Sequence, residues 1–446
     1  MQPFTFIHAA DLHLDAVFPS PPGEDGPALR EILASAAFMA LGRLVDLCIT
    51  QKTAFLILAG DVFHSGAGSL KAGFELSDAF KKLGEHGIDV FWARGNHDSL
   101  SQSGDARAWP ENVHIFSHEG ERVSAAGGLA ELHGISHKSQ HERGNLAENL
   151  KGSGSGFGIG VLHCAVNGAQ GSHIAYAPCN LSDLTGGGKD YWALGHVHGQ
   201  AVLAQKPLVV YPGSLQGLHV NEPGPHGCYI VAVGADGRPE ASFTPLAPVR
   251  WERMALDISG QDNLDALEDA ALEAVRGLCD ELGREETTPE LLLLRLELGG
   301  RTALDAALRR SGSTLELAER LNRGLAAMSD GMPCQARLKD IVLATSPDLD
   351  VEALKRSDNL VGETLRRADE VAARLDELAV AGVSGFEGLK AALTGTTWAD
   401  EFSAALEELY GDRRVEEHEL MPGLGELGEM AREAASLCLH LFEVEE

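Results

Sequence analysis

The first 249 residues of this 446-residue chain predict an α/β fold. Three observations carry that prediction. Short apolar runs alternate with stretches of helical periodicity. Nearly every cluster of Gly, Asp and His falls just after one of those runs. Beyond a proline-containing break, Pro245-Leu-Ala-Pro248, the texture turns acidic and rich in Leu and Ala.

Taken in order, strands are predicted at Phe4–Ala10, Ala54–Ala59, Asp89–Ala93, Gly158–Leu162, Tyr191–Leu194, Leu208–Tyr211 and Gly227–Val233, where β-branched and aromatic residues gather. Helices are predicted over Ala28–Lys52, with Leu29, Leu33, Ala37, Leu41 and Leu44 on one face, and over Leu70–His86. After the break, Trp251–Ile258, Leu291–Leu298 and Arg337–Leu343 read as strands separated by helices Leu264–Leu282 and Leu315–Met328, a small α/β module. From Asp350 onward helices dominate: Val351–Leu378, Trp398–Tyr410 and Leu424–Leu441, the last with Leu427, Met430, Ala434, Leu437 and Leu441 on one face. The expected domains are 1–247, a small α/β cap at 248–346 and a helical C-terminal region at 347–446.

Composition separates the same parts. Sixteen of the 18 histidines lie in residues 1–249, so imidazole chemistry is expected there. That stretch carries 24 acidic and 15 basic residues, whereas residues 250–446 carry 42 and 21. A net charge of −30 argues against wrapping nucleic acid by surface charge alone, because such binding rests on Lys and Arg neutralising phosphates. Seven scattered cysteines without a C-x-x-C argue against a disulfide scaffold or a zinc ribbon and fit a reducing compartment best. The first basic residue is Arg30, and the longest stretch free of Asp, Glu, Lys and Arg, Gly152–Ser182, is laced with Gly, Ser, His and Asn. A soluble, cytoplasmic protein without membrane partners is expected.

Five clusters carry the chemistry: Asp11-Leu-His13, Gly60-Asp61-Val-Phe-His64, Gly95-Asn96-His97-Asp98, the isolated His163, and Gly195-His196-Val-His198. Carboxylate, imidazole and amide oxygen form a mixed hard and borderline donor set suited to Mn, Fe or Zn. The absence of thiolates argues against a closed structural zinc site. Asp11 and His13, like His196 and His198, are two residues apart, so an extended backbone turns both side chains to one face. Singly, each cluster has a plainer account: D-x-H recurs by chance, His163 reads as a hydrogen-bonded core histidine, and Asn96 as a turn residue. Five in this order, each closing a predicted strand, read as one metal centre. In open α/β sheets the carboxyl ends of strands are where ligands gather.

The ordered set D-x-H, G-D-x-x-H, G-N-H-D, H, G-H-x-H resembles the signature of the calcineurin-like metallophosphoesterases. Gly60-Asp61-Val-Phe-His64 is similar to the DNA-repair nuclease branch that includes bacterial SbcD. Phe6-Ile-His-Ala-Ala-Asp-Leu-His-Leu-Asp15 and Tyr211-Pro-Gly-Ser-Leu-Gln-Gly217 are similar to the exonuclease-like YhaO subgroup. The resemblance covers residues 4 to about 245. It implies a four-layer sandwich, two β-sheets flanked by helices, followed by a small α/β cap and a helical C-terminal part. It further implies a dinuclear-metal-dependent phosphodiesterase, a DNA exonuclease or endonuclease in repair, working through a hydroxide shared by two ions, Mn2+ foremost with Fe2+ or Zn2+ also suited.

Carried over by position, Asp11, His13, Asp61 and His198 would hold one ion, and Asp61, Asn96, His163 and His196 the other. His97 would protonate the leaving oxygen or stabilise transition-state charge, with Asp98 orienting or charging it. His64 would be the helper histidine of the nuclease branch, its plainer reading being a helix cap. The implied partners are DNA, as ends or single strands, an SMC-like coiled-coil ATPase supplying basic surface, and a second copy of the chain. Val351–Leu378 and Leu424–Leu441 are the helices that would dock the ATPase, or else bury their apolar faces internally. Two other readings stand beside this one. A phosphatase or phosphodiesterase of small nucleotides would share the chemistry, although His64-Ser-Gly replaces the Asp-Arg-Gly typical of the family's protein phosphatases. A catalytically silent scaffold of an ATPase complex would be expected to have lost ligands, and every matched position here is filled.

Overall fold

The structure is a computed structural model and describes residues 1–18, 27–66, 68–101, 108–154, 156–167, 176–285, 287–348, 351–381 and 428. The first elements are β1 (Phe4–Ala9), α1 (Pro27–Thr50), β2 (Phe55–Ala59), α2 (Leu70–Glu85), β3 (Asp89–Ala93), β4 (Val113–Ile115), β5 (Glu121–Ala125) and β6 (Ala130–Ile135). They are followed by β7 (Phe157–His163), α3 (Leu181–Thr185), β8 (Tyr191–Gly195), β9 (Ala201–Gln205), β10 (Leu208–Tyr211), β11 (Gly227–Val233) and β12 (Pro239–Pro245). One six-stranded sheet has the order β12-β11-β1-β2-β3-β4, and a second has β5-β6-β7-β8-β10-β9. Within the first, β1 to β4 run parallel, while β11 and β12 are antiparallel additions at one side. Within the second, β6, β7, β8 and β10 run parallel between antiparallel edges.

Alternation along each strand sorts the side chains into layers. Phe6, Phe55, Ile57 and Phe91 of the first sheet share a buried cluster with Leu132, Phe157, Ile159 and Tyr191 of the second, so the sheets pack face to face. Phe6 stacks on Phe55 at 5.1 Å between ring centroids and meets Tyr191 edge-on at 5.2 Å. On the outer face of the first sheet, Ile7, Leu56, Leu58 and Trp92 pack with Leu41 and Leu44 of α1 and Leu76 and Phe80 of α2. On the outer face of the second, Leu162, Trp192 and Leu194 pack with Leu150 and with Leu184 of α3. Strands buried on both faces have no polar side, and for that reason they read as continuous apolar runs in the sequence. The expected four-layer α/β sandwich is the architecture found.

Helix α1 is long and apolar enough over Leu29–Thr50 to cross a membrane by length and composition alone. Leu29, Leu33, Ala36, Ala37, Ala40, Leu41 and Leu44 are all buried within the protein, which accounts for that apolarity. Six cysteines among the described residues, Cys48, Cys164, Cys179, Cys228, Cys279 and Cys334, are buried free thiols.

Further elements are β13 (Val249–Asp257), α4 (Leu264–Leu282), β14 (Leu291–Thr302), α5 (Asp305–Leu308), α6 (Ser313–Met328), β15 (Gln335–Pro347), α7 (Val351–Arg356) and α8 (Leu360–Val380). The three strands form a sheet in the order β13-β14-β15. The chain divides into two compact units, one of Met1–Leu256, Glu268–Glu297 and Thr314–Val342, the other of Asp257–Leu267, Leu298–Ser313 and Leu343–Glu446. In the second unit, buried Asp305 accepts a hydrogen bond from Thr345 Oγ1 at 2.5 Å and pairs with Arg309.

The helix expected over Val351–Leu378 is interrupted. Ser357 Oγ donates to the Leu354 carbonyl, and the Asn359 side chain accepts from the Gly362 N–H at 2.9 Å, starting α8 afresh. The break falls in the polar run Lys355-Arg-Ser-Asp-Asn359, where local capping chemistry wins over helix continuation. The expected helices Trp398–Tyr410 and Leu424–Leu441 lie outside the described residues, apart from Gly428.

Truncation of Phe6 to Ala, at the contact between the two sheets, should cost ~3–5 kcal/mol. The check is the denaturant midpoint of the purified variant: a midpoint equal to wild type would mean that the interlayer cluster does not hold the sandwich together.

Candidate metal centre

Every site cluster sits where a parallel strand ends. Asp11 and His13 follow β1, Asp61 and His64 follow β2, Asn96, His97 and Asp98 follow β3, His163 closes β7, and His196 and His198 follow β8. Because β1, β2 and β3 are adjacent in one sheet and β7 and β8 in the other, their carboxyl ends gather at one edge of the sandwich. Main-chain hydrogen bonds then lock the loops together, from Asp11 N to Gly60 O at 3.0 Å, His13 N to Asp61 O at 3.1 Å and Cys164 N to Gly195 O at 3.1 Å.

The donors themselves have left-handed backbone. Asp11, His13, Asp61 and His196 have φ of 50°, 43°, 49° and 106°, a region that Asp tolerates, so the strain falls on His13 and His196. Gly95 is needed for room, because a Cβ there would overlap the Asp61 carboxylate.

The side chains meet in three overlapping groups whose donor atoms lie within 4.8 Å of one another: Asp11, His13 and His198; Asp11, Asp61 and His163; His13, His64 and His97. His13 Nε2 stands 3.2 Å from His198 Nε2, and His198 Nε2 is 3.9 Å from Asp11 Oδ1. His163 Nε2 lies 3.0 Å from Asn96 Oδ1 and 3.3 Å from Asp61 Oδ2. The orientation of His163 is fixed from behind, since its Nδ1 donates to the Ala59 carbonyl at 2.9 Å. His196 is anchored through its main chain, its N–H donating to Asp11 Oδ2 at 3.0 Å, and its ring stands 5.2 Å from that of His163. Among the described residues, none of the three groups includes His196.

His97 and His64 stack at 5.1 Å with 21° between their planes. His97 Nδ1 donates to the His64 carbonyl at 2.7 Å, and the His97 N–H donates to Asp61 Oδ1 at 2.8 Å. His64 Nδ1 is 3.3 Å from His13 Nδ1. The Asp98 carboxylate is turned to the main chain, accepting from Gly95 N at 2.7 Å and Val62 N at 2.9 Å, so it ties the β2 and β3 loops together. The ring of His97 is held by His64 and not by Asp98.

Electrostatics set the chemical state of this cage. Burial, reinforced by nearby Asp61 and opposed by His163 and His198, pushes the Asp11 carboxyl up to about 6. Burial also disfavours charge on Asp61, yet the charge and hydrogen bond of His163, with His13 and His97, hold it well below the usual carboxylate range. Burial works against protonating His163, but Asp61 and then Asp11 carry it up to about 9. Against the same burial, the Glu222 hydrogen bond and then Asp11 carry His198 up to about 9. Burial and then neighbouring His163 lower His196 to about 3. Buried Asp11 Oδ1 has no hydrogen-bond partner among the described residues. An orphaned carboxylate oxygen facing converging imidazole nitrogens fits a divalent cation, which supplies the positive charge that these donors otherwise draw from protons.

Three contributors escape sequence reading. Asp15 accepts from the His64 N–H at 2.7 Å, Glu222 accepts from His198 Nδ1 at 2.7 Å, and buried His137 donates from Nε2 to the His163 carbonyl at 2.7 Å. His137 lies two residues past the end of β6, a strand disguised by Glu131 and Gly134, and recognising that strand would have exposed it. Asp15 belongs to the aspartate–histidine run already singled out after β1. Glu222 lies in a loop with no comparable signal.

Comparison with known proteins places the chain among metallophosphoesterases. The calcineurin-like phosphoesterase family matches residues 4–200, and the middle domain of metallophosphoesterase YhaO matches residues 251–346. The chain is 36% identical over 308 residues to the uncharacterized metallophosphoesterase YhaO of Bacillus subtilis (strain 168), covering 65% of this chain and 73% of that relative. It is 24% identical over 240 residues to the DNA double-strand break repair protein Mre11 of Archaeoglobus fulgidus, covering 49% of this chain and 51% of that protein. A dimetal phosphatase from Danio rerio aligns at 14% identity over 53% of this chain and 98% of its own, with a TM-score of 0.30.

Because His163 and His198 keep their protons up to about 9, a cation entering at pH 7 has to displace them. Mn2+ uptake should therefore release protons at pH 7, and apparent affinity should rise from pH 6 towards pH 9. Calorimetry in two buffers of different ionisation enthalpy measures this, and a buffer-independent heat would contradict it.

Proposed function

The chain belongs to the calcineurin-like metallophosphoesterases, metal-dependent hydrolases, and on that premise we propose that it is a dinuclear phosphodiesterase acting on DNA in repair. The observation that carries this reading is the convergence of donors from four separate strand ends on Asp11, whose Oδ1 has no hydrogen-bond partner among the described residues. In it, Asp11, His13, Asp61 and His198 hold one ion, Asp61, Asn96, His163 and His196 hold the other, and Mn2+ is the ion of first choice. When bound, such a pair polarises phosphoryl oxygens and makes water a nucleophile near neutral pH.

The protein's own groups do the rest. With Nδ1 committed to the His64 carbonyl, His97 keeps Nε2 for the substrate, to donate to a phosphoryl oxygen or to the departing one. His64 supports that ring by stacking, and Asp98 acts as a positioning residue by fixing the loop that presents it. The similarity to Mre11 supports DNA as the substrate class. A net charge of −30 repels DNA, so the reading includes a partner that brings basic surface, an SMC-like ATPase with a coiled coil, in the cytoplasm, with a second copy of the chain completing the assembly. The same charge favours a second reading, in which the substrate is a small nucleotide phosphodiester that needs no basic surface.

The test is a Mn2+-dependent assay on 3′- and 5′-labelled duplex and single-stranded DNA, run beside mononucleotide phosphodiesters. The expected result is cleavage of DNA, and turnover confined to mononucleotides would select the second reading. His97→Ala should lower kcat by ~10²–10⁴-fold with metal content unchanged; full activity in that variant would remove His97 from the mechanism.

A further inference from the structure

We infer that Glu222 is a positioning residue of the metal centre, holding the His198 imidazole in the tautomer whose Nε2 lone pair faces the cation shared with Asp11 and His13. The inference rests on the metal-centre reading above. Glu222 Oε1 is 2.7 Å from His198 Nδ1, and a carboxylate can only accept there, so Nδ1 carries the proton and Nε2 is left towards His13 Nε2 and Asp11 Oδ1. Its other oxygen, Oε2, accepts from the Leu218 N–H at 2.7 Å, so the carboxylate is clamped at both ends. The half-exposed ring of His219 covers the outer side, with Nε2 3.3 Å from Glu222 Oε1.

The loop that presents Glu222 is itself rigid. Trp251 Nε1 donates to Gly217 O at 2.9 Å, Gly224 N donates to Trp251 O at 2.9 Å, and the Gln216 side chain both donates to Val249 O and accepts from Val249 N. Trp251 is fully buried. The start of β13 thus fixes the loop, the loop fixes the carboxylate, and the carboxylate fixes one metal-facing imidazole. A carboxylate behind a ligating histidine raises the ligand's basicity and sets its angle, and losing one lowers metal affinity by ~10–100-fold. A Glu222 that served only to brace the loop would change stability and leave affinity alone.

The experiment titrates Mn2+ into the cation-free full-length chain, wild type, Glu222→Gln and Glu222→Ala, with thermal unfolding of each cation-free protein measured in parallel. Long-range proton–nitrogen spectra of the Zn2+-loaded proteins read the His198 tautomer. The inference expects one ion to bind ~10–100-fold more weakly in Glu222→Gln, the other within threefold of wild type, and the His198 Nδ1–H proton signal, held downfield by the carboxylate in the wild type, to move upfield. If Glu222→Ala does not fold, the isosteric Glu222→Gln decides. Wild-type affinity in the variants, with or without a lower unfolding temperature, overturns the inference while leaving the metal centre intact. Wild-type protein that takes up no Mn2+ overturns the metal-centre reading, and this inference with it.

Discussion

Two carboxylates, Asp11 and Asp61, are buried within one donor cluster at the edge where the sheets end, and much of the surrounding structure answers to that fact. Removing like charges from water in one small volume is costly unless positive charge comes with them. In the cation-free chain that charge is borne by His163 and His198, and the balance is incomplete, since burial still raises Asp11 while Asp61 stays ionised. Main-chain N–H groups take up part of the load, from His196 to Asp11 and from His97 to Asp61. A cation completes the balance, so binding and charge neutralisation are one event.

The fold supplies the geometry that this concentration of charge requires. Parallel strands align their carboxyl ends, and two sheets packed face to face bring both sets of ends to one edge. The layer between the sheets is rich in phenylalanine and buried, which holds the two sheets in register. That layer also contains His8, a buried imidazole bonded to Tyr191 Oη and the Leu194 carbonyl and lowered to about 3 chiefly by burial. Histidine in this protein is thus a neutral core residue within the layer and a donor at its edge.

Buried strands were the easiest part of the chain to read. Asp89–Ala93, Leu208–Tyr211 and Gly227–Val233 coincide with their sequence-derived limits, because most of their residues are buried and apolar. Strands β4, β5, β9 and β12 escaped: they lie at sheet edges, partly exposed, and Glu121-Arg-Val-Ser-Ala125 reads equally well as loop. Interior β6 escaped as well, its run broken by Glu131 and Gly134. At the site, the donors were legible because their residue types are rare in combination and each closes a strand. The residues behind them were not, since Glu222 and His137 act through contacts 24 and 26 residues away along the chain. The partners of Asp98 were equally hidden: its neighbour in sequence is His97, yet its bonds go to Gly95 and Val62.

The left-handed backbone at Asp11 and Asp61 has a consequence for how such a centre decays. These positions are filtered twice, once for a donor atom and once for tolerance of positive φ. Release from the first filter leaves the second in force, because the turns also connect the sandwich. A descendant that abandoned its chemistry would accumulate Asn or Gly there in preference to Val or Ile. Its ancestry would stay written in the backbone after the last ligand had gone.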